Sequence, residues 1–197
     1  MDRILTVEQM TFCEHETEKY GVRLAQLMDT AAAQLAEVIA SNSSSSSKLV
    51  LLIGKGNNGG DGLVAANLLA EQGLKPAVVL CGGEPDTDLS SAAYARLAKG
   101  VEVLKAGKAV DFIEGADVLV DCICGTGFHG SLRENIRPVF RACEKCEGMK
   151  IACDLPSGVN ARNGQADKLS FMADVTVTFH RGKLGLYLQP AVDFCGE

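Results

Sequence analysis

The chain has 197 residues, 47% of them hydrophobic and 22% charged, with a formal net charge of −6. That length holds one well-buried α/β domain and is short for two, and the acidic balance argues against a general nucleic-acid or membrane-surface partner, which requires a basic face. No apolar run approaches the ~20 residues of a membrane span, and Met1-Asp-Arg-Ile lacks the apolar core of a signal peptide, so a soluble cytoplasmic protein is expected.

In chain order, Thr6 to about Tyr20 reads as a helix, with Thr6 as N-cap and Gln9 completing a capping box. Gly21 separates it from a second helix, about Leu24 to Ala40, and residues 42–47 are a low-complexity, serine-rich linker. Leu49-Val-Leu-Leu-Ile53 is an uncharged run expected to form a strand buried on both faces. A glycine-rich turn, Gly54 to Gly62, follows, and a helix is expected from Leu63. Gly59, Gly60 and Gly62 carry no Cβ, so the sequence predicts a turn whose backbone a phosphate can approach closely.

Strands and helices then alternate. Pro76–Cys81 is a strand, Asp88–Lys99 a helix, Val101–Leu104 a short strand, and Val110–Glu114 a helical turn. Asp117–Asp121 is a buried strand, Leu132–Cys146 a helix interrupted near Pro138, and Lys150–Asp154 and Val175–Phe179 two further strands. The succession predicts a three-layer αβα, Rossmann-like domain: a mostly parallel sheet with helices on both faces. No internal repeat or domain boundary is visible, so residues 1–197 read as one domain.

Two familiar phosphate loops fail on this glycine turn. A Walker A loop needs Lys and then Ser or Thr after its last glycine, where this chain has Gly60 and Asp61. The dinucleotide spacing G-x-G-x-x-G is met by Gly54, Gly56 and Gly59, but the next strand ends in Gly82-Gly83 without the acid that holds a ribose. Eight cysteines are scattered along the chain; Cys143-Glu-Lys-Cys146 has zinc-like spacing but no second pair, so reduced and mostly buried thiols are expected.

In such sheets ligands lie beyond the carboxyl ends of the strands. Three of these ends carry polar, glycine-rich turns: Gly56–Gly62, Asp121–Ser131 and Asp154–Gly158. Asp121 and Asp154 stand immediately after apolar runs, and the Ser157 hydroxyl can face the same crevice. His129 is a lone histidine in a loop, a setting where a surface polar role is common. Lys183, past the last clear strand, brings a cation to the same edge.

These segments resemble a known family. Gly-Asn-Asn-Gly-Gly-Asp-Gly (56–62), Val-Asp-Cys-Ile-Cys-Gly-Thr-Gly (120–127), Asp-Leu-Pro-Ser-Gly (154–158) and Ala-Asp-Val-Thr-Val-Thr-Phe (173–179) are similar, in order and spacing, to the signatures of the YjeF N-terminal domain, the NAD(P)H-hydrate epimerases. The resemblance covers essentially the whole chain. It implies an isomerase of metabolite repair that interconverts the R and S hydrates of NADH and NADPH, so that a partner dehydratase specific for the S form can restore the cofactor. It further implies that Asn57, Asn58, Gly59, Gly60 and Asp61, with Gly125, Thr126, Gly127, Phe128, His129, Gly130 and Ser131, hold the phosphates and sugars. Asp154 then faces the damaged ring as acid and base, and a potassium ion lies between Asn58, Asp121 and Ser157, oxygen ligands that suit a hard cation. A homodimer built partly on the N-terminal helices is implied as well.

The chain departs from the family at Asp29 and Ala32, where Glu and Gly are usual, and at Glu14, near the family's Asp. These departures are expected to touch packing or the dimer surface rather than the ring site. Cys195-Gly-Glu197 ends where the family continues into a last strand, so the chain reads as a domain that can be excised from a longer protein with a C-terminal dehydratase. The alternative is a non-catalytic YjeF-like nucleotide-binding or scaffold domain, for which eroded glycine loops or a basic face are expected. A generic dinucleotide oxidoreductase lacks its ribose acid here.

Overall fold

The computed structural model describes residues 4–197. Six strands, β1 (Leu49–Ile53), β2 (Pro76–Leu80), β3 (Glu102–Lys105), β4 (Val118–Cys122), β5 (Met149–Cys153) and β6 (Val175–Val177), form one sheet in the order β3-β2-β1-β4-β5-β6. Every neighbouring pair is parallel. The helices are α1 (Val7–Lys19), α2 (Leu24–Ser41), α3 (Asn57–Glu71), α4 (Asp88–Ala95), α5 (Val110–Glu114) and α6 (Arg137–Lys145).

The central strands have no polar side because both faces are covered. Leu49, Leu51 and Ile53 point into the core shared with α2, α3 and α4. Val50 and Leu52, one residue out of phase, point into the core shared with α5 and α6. The chain runs outward from β1 to β3 and then returns to start β4 on the other side of β1. The loops after β1 and β4 therefore leave in opposite directions, opening a crevice at the carboxyl ends of those strands.

Several expected boundaries move, each for a local reason. The capping box of α1 forms: the Gln9 N–H donates to Thr6 Oγ1 at 3.2 Å and the Thr6 N–H to Gln9 Oε1 at 2.9 Å. The helix expected from Leu63 begins instead at Asn57, so the glycine-rich segment is its first two turns rather than a separate loop. The helix expected over 132–146 starts only at Arg137, with Pro138 in its first turn where the missing N–H costs nothing. The helix expected over 88–99 ends at Ala95, and β6 ends at Val177 rather than Phe179.

A third, smaller core lies under the C-terminal loops, where Val7 of α1 meets Leu155, Val159 and Leu186. Beside it Leu5 pairs with Lys183: the Leu5 N–H donates to Gly182 O at 3.0 Å and the Leu184 N–H to Leu5 O at 3.2 Å. This contact plants α1 next to the end of β6. Residues 194–197 close the edge of β6, with the Thr176 N–H donating to Glu197 O at 2.9 Å.

Candidate active site at the strand ends

The three polar turns meet. The Asn58 side-chain amide donates to Cys124 O at 3.0 Å, and the Cys124 N–H donates to Ser157 Oγ at 2.7 Å. Asp121 accepts from the Ser157 hydroxyl at 2.8 Å and from the N–H groups of Ser157 at 2.7 Å and Ile123 at 3.1 Å. Asp121 is completely buried. Burial pushes its carboxyl up to about 6 despite those hydrogen bonds, and no basic side chain among the described residues opposes its charge. A buried carboxylate beside the oxygens of Asn58, Ser157 and the Cys124 carbonyl is a donor set of the kind a hard monovalent cation takes.

The first turn of α3 offers a second binding element. Its N-cap, Gly56, has no side chain, and the first helical N–H to return to the helix is that of Gly60, which donates to Gly56 O at 3.2 Å. The N–H groups of Asn57, Asn58 and Gly59 are thus left for a ligand, with no acidic side chain in that turn to compete. The glycines also answer a packing demand. A Cβ on Gly59 would stand 2.0 Å from Gly54 O, one on Gly60 2.6 Å from Met28 Cε, and one on Gly62 2.7 Å from Cys122 Sγ. Their missing side chains let α3 pack against its own loop, α2 and β4. Asn57 is partly committed, since its Oδ1 accepts from Thr87 Oγ1 at 2.6 Å and ties α3 to the cap of α4.

The loop over 125–131 borders this turn through Gly125, which packs on the Asn58 side chain. The Phe128 N–H donates to Gly125 O at 3.0 Å, closing a tight turn, and the Phe128 ring packs against the second core. The loop's far end is pinned by Asp167, which accepts from the Leu132 N–H at 3.0 Å and pairs with Arg137 at 3.2 Å. Gly125 and Thr126 are half-buried, whereas Gly127, His129, Gly130 and Ser131 are exposed. The His129 ring stays within its own loop, its Nδ1 lying 3.0 Å from Gly127 O.

Asp154, one residue past β5, has φ 68, a left-handed conformation that Asp tolerates better than most residues. Its N–H donates to Val177 O at 2.8 Å, and its Oδ1 accepts from the Lys183 ammonium. Lys183 is 1% exposed and also donates to Thr178 Oγ1 at 3.0 Å and Phe179 O at 2.9 Å, so all three of its N–H bonds are used. Thr178 and Phe179, just past the end of β6 at Val177, thus hold this lysine through a side-chain hydroxyl and a backbone carbonyl. The charges of the same ion pair reach Asp61 of α3. Its carboxyl is pushed well above the usual range by burial and by the charges of Asp154 and Glu14, and only Lys183 acts against them. Glu14 is raised too, first by partial desolvation and then by Asp154.

Sequence reasoning thus brought Asn58, Asp121, Ser157, Asp61, Asp154 and Lys183 to one edge but set Glu14 aside as a packing or dimer-surface residue. The Leu5–Lys183 pairing sets the start of α1 beside the strand ends, and Glu14 feels the charges of Asp154 and Lys183 there. No periodic signal in α1 reports this contact. Ala32 is buried in the first core and Asp29 is exposed, as packing and surface positions. Of the thiols, Cys143 and Cys146 are both buried, Cys146 donating to Ala116 O at 3.5 Å.

Residues 24–185 match the family described as YjeF-related protein N-terminus. The chain is 34% identical over 187 residues to the NAD(P)H-hydrate epimerase of Nitrosopumilus maritimus, covering 92% of this chain and 87% of that protein. It is also 34% identical over 198 residues to the bifunctional NAD(P)H-hydrate repair enzyme Nnr of Hyperthermus butylicus, covering 98% of this chain but 37% of that protein. The chain thus spans well under half the length of the bifunctional relatives it matches. The crystal structure of yeast ynu0 superposes with a TM-score of 0.82 at 23% identity, over 93% of this chain and 82% of that one, a likeness of fold.

Proposed function

The chain belongs to the YjeF-related N-terminal family, and from that premise we propose that it is an NAD(P)H-hydrate epimerase acting on both hydrates of NADH and NADPH. The observation that carries the reading is the crevice itself. The N-terminus of α3, with three N–H groups free of helical partners, and the Asp154 carboxyl, held by a buried lysine, lie at the carboxyl ends of the same sheet. The first suits a pyrophosphate, and the second suits a reaction that moves protons at a ring carbon. A non-catalytic scaffold has no use for a buried ion pair at the mouth of intact glycine turns.

In this reading Asn57–Asp61 and the loop over 125–131 hold the phosphates and sugars, and Asp154 faces the hydrated ring. The damaged carbon is a hemiaminal, bearing OH beside the ring nitrogen. Its configuration inverts when hydroxide leaves as water and returns to the other face, through an iminium ion or a ring-opened form. Either route needs a proton given to oxygen and one taken from it. A fixed carboxylate offsets the passing positive charge and accepts a proton, effects together worth about 10²–10⁴ in rate. Lys183 keeps Asp154 in place while this happens.

Potassium is the proposed resident ion, held by Asn58, Asp121 and Ser157. Support comes from the uncompensated buried carboxylate of Asp121 and from the all-oxygen donor set. Bound there, the ion supplies charge balance and a fixed point for nearby ligand oxygens. A homodimer is proposed on the N-terminal helix, where Phe12 and Tyr20 are 65% and 84% exposed. The functional partner is a dehydratase specific for the S hydrate; the bifunctional names of the longer relatives support a fused arrangement. The proposed site of action is the cytoplasm; among the described residues no helix is long and apolar enough to cross a membrane.

Purified protein mixed with R-hydrate, with S-hydrate followed over time by chromatography, tests the reading. Conversion faster than the uncatalysed background is expected for NADH and NADPH hydrates alike. No acceleration at stoichiometric protein would reject catalysis and leave a binding domain.

A further inference from the structure

The turn after β2 carries a cluster that the epimerase reading leaves unused. β2 ends at Leu80, and Gly82 and Gly83 follow at φ 92 and 118, values that glycine takes without strain. The stem of Lys55, just past β1, lies over that turn: a Cβ on Gly83 would stand 3.8 Å from Lys55 Cε. The Lys55 ammonium pairs with Asp86 at 2.5 Å. The Lys55 carbonyl accepts from the Asp86 N–H at 3.0 Å and from the Ser90 hydroxyl at 2.9 Å, and Ser90 is completely buried. Backbone and side chain alike thus hold Lys55 and Asp86 together, while both side chains stay open to solvent.

In dinucleotide-binding sheets, the end of the strand after the glycine turn is where the ribose is read. An acid there takes the 2′-hydroxyl, and a basic side chain accommodates a 2′-phosphate. Cys81-Gly82-Gly83 offers neither. The fold supplies both, because the turn returns Asp86 to the Lys55 carbonyl. The placement also fits. β5, β4, β1 and β2 stand in a row in the sheet. With the ring at Asp154 after β5 and the pyrophosphate at the start of α3, the far ribose falls on the β2 side of β1, one strand spacing of about 4.8 Å further.

We propose that the Lys55–Asp86 pair reads the 2′ position of the ribose on the adenine side of the substrate. Asp86 accepts from the 2′-hydroxyl of an NADH hydrate, and Lys55 donates to the 2′-phosphate of an NADPH hydrate. The inference rests on the epimerase reading and adds the residues that let one site take both cofactors. The ammonium has further N–H bonds and the carboxylate a second oxygen, so either ligand is met without breaking the pair.

Calorimetry on the whole protein tests this with ADP-ribose and 2′-phospho-ADP-ribose, which carry the pyrophosphate and this ribose but no nicotinamide ring. Lys55→Gln should weaken the 2′-phosphorylated ligand about threefold to tenfold more than ADP-ribose, and Lys55→Arg should restore part of the difference. Asp86→Asn should move the ratio the other way, weakening ADP-ribose relative to its 2′-phosphate. Glu84→Gln, the same change of charge on an exposed neighbour, should leave the ratio within about twofold. Variants of Lys55 and Asp86 that change both affinities by one factor would overturn the assignment and place the pair on the pyrophosphate. So would Glu84→Gln moving the ratio as far as Asp86→Asn, which makes the effect one of general charge. Failure of both ligands to bind overturns it together with the placement of a dinucleotide in this crevice. A protein that shows the opposed shifts but does not interconvert the hydrates overturns the epimerase reading and leaves the 2′ assignment standing.

Discussion

At the scale of single residues, charge without a nearby opposite charge decides behaviour. Asp154→Asn keeps an oxygen for Lys183 but removes the carboxylate, leaving an ammonium 1% exposed without its ion-pair partner. The expected outcome is loss of R-to-S turnover by at least ~10², hydrate affinity changed by less than ~1 kcal/mol, and stability lowered by a few kcal/mol. Single-turnover kinetics, calorimetric binding and thermal denaturation separate the three. Asp121 gives a pH dependence. Its folded carboxyl is raised from 3.8 to about 6, so its contribution to stability is full below pH 3.8 and is lost as pH rises through about 6. A bound cation offsets that loss. Potassium should therefore raise the denaturation midpoint at pH 8 and have little effect at pH 5, with a bulky organic cation as the control. Equal stabilisation at both values would detach the ion from Asp121.

At the scale of elements, α3 is the part on which the site depends. Its first two turns are squeezed between the Gly54 carbonyl, α2 and β4, and each contact closes over a glycine. Gly59→Ala would set a Cβ 2.0 Å from a backbone oxygen that cannot swing away. It should cost ~1–3 kcal/mol by overpacking and displace the N–H groups of the helix terminus, raising the KM for the hydrate. Gly56→Ala, with nothing within 4 Å of the added methyl, should cost at most ~1 kcal/mol as a weaker N-cap. Paired urea titrations of the two variants distinguish crowding from a general intolerance of the segment. Equal losses would mean that the whole turn, and not the approach at Gly59, resists substitution.

At the scale of the whole molecule, the strand order puts the crevice between β1 and β4, and the Leu5–Lys183 pairing sets the start of α1 beside the end of β6. The exposed Phe12 and Tyr20 on that helix leave apolar surface outside the site. Light scattering at micromolar concentration should give particles of about twice the 20.8 kDa chain mass. Phe12→Asp should halve the particle mass while far-UV circular dichroism stays unchanged. A wild-type protein of single-chain mass would remove α1 as an interface.

The αβα architecture was legible in the sequence because strands buried on both faces must be continuously apolar, and Leu49–Ile53 and Val118–Val120 are. Asp121 and Asp154 were legible because a carboxyl directly after such a run emerges at one known edge of a parallel sheet. The start of α3 was not: Gly59, Gly60 and Gly62 argue for a turn by intrinsic propensity, and only the approach of α2, β4 and the Gly54 loop makes a helix of them. Nor was the influence of Asp154 and Lys183 on Glu14, on a helix that follows the pairing between Leu5 and Lys183, 178 positions apart in numbering (183 − 5). Local pattern records which face of an element is buried, but a contact between the two ends of the chain exists only once the sheet between them has formed.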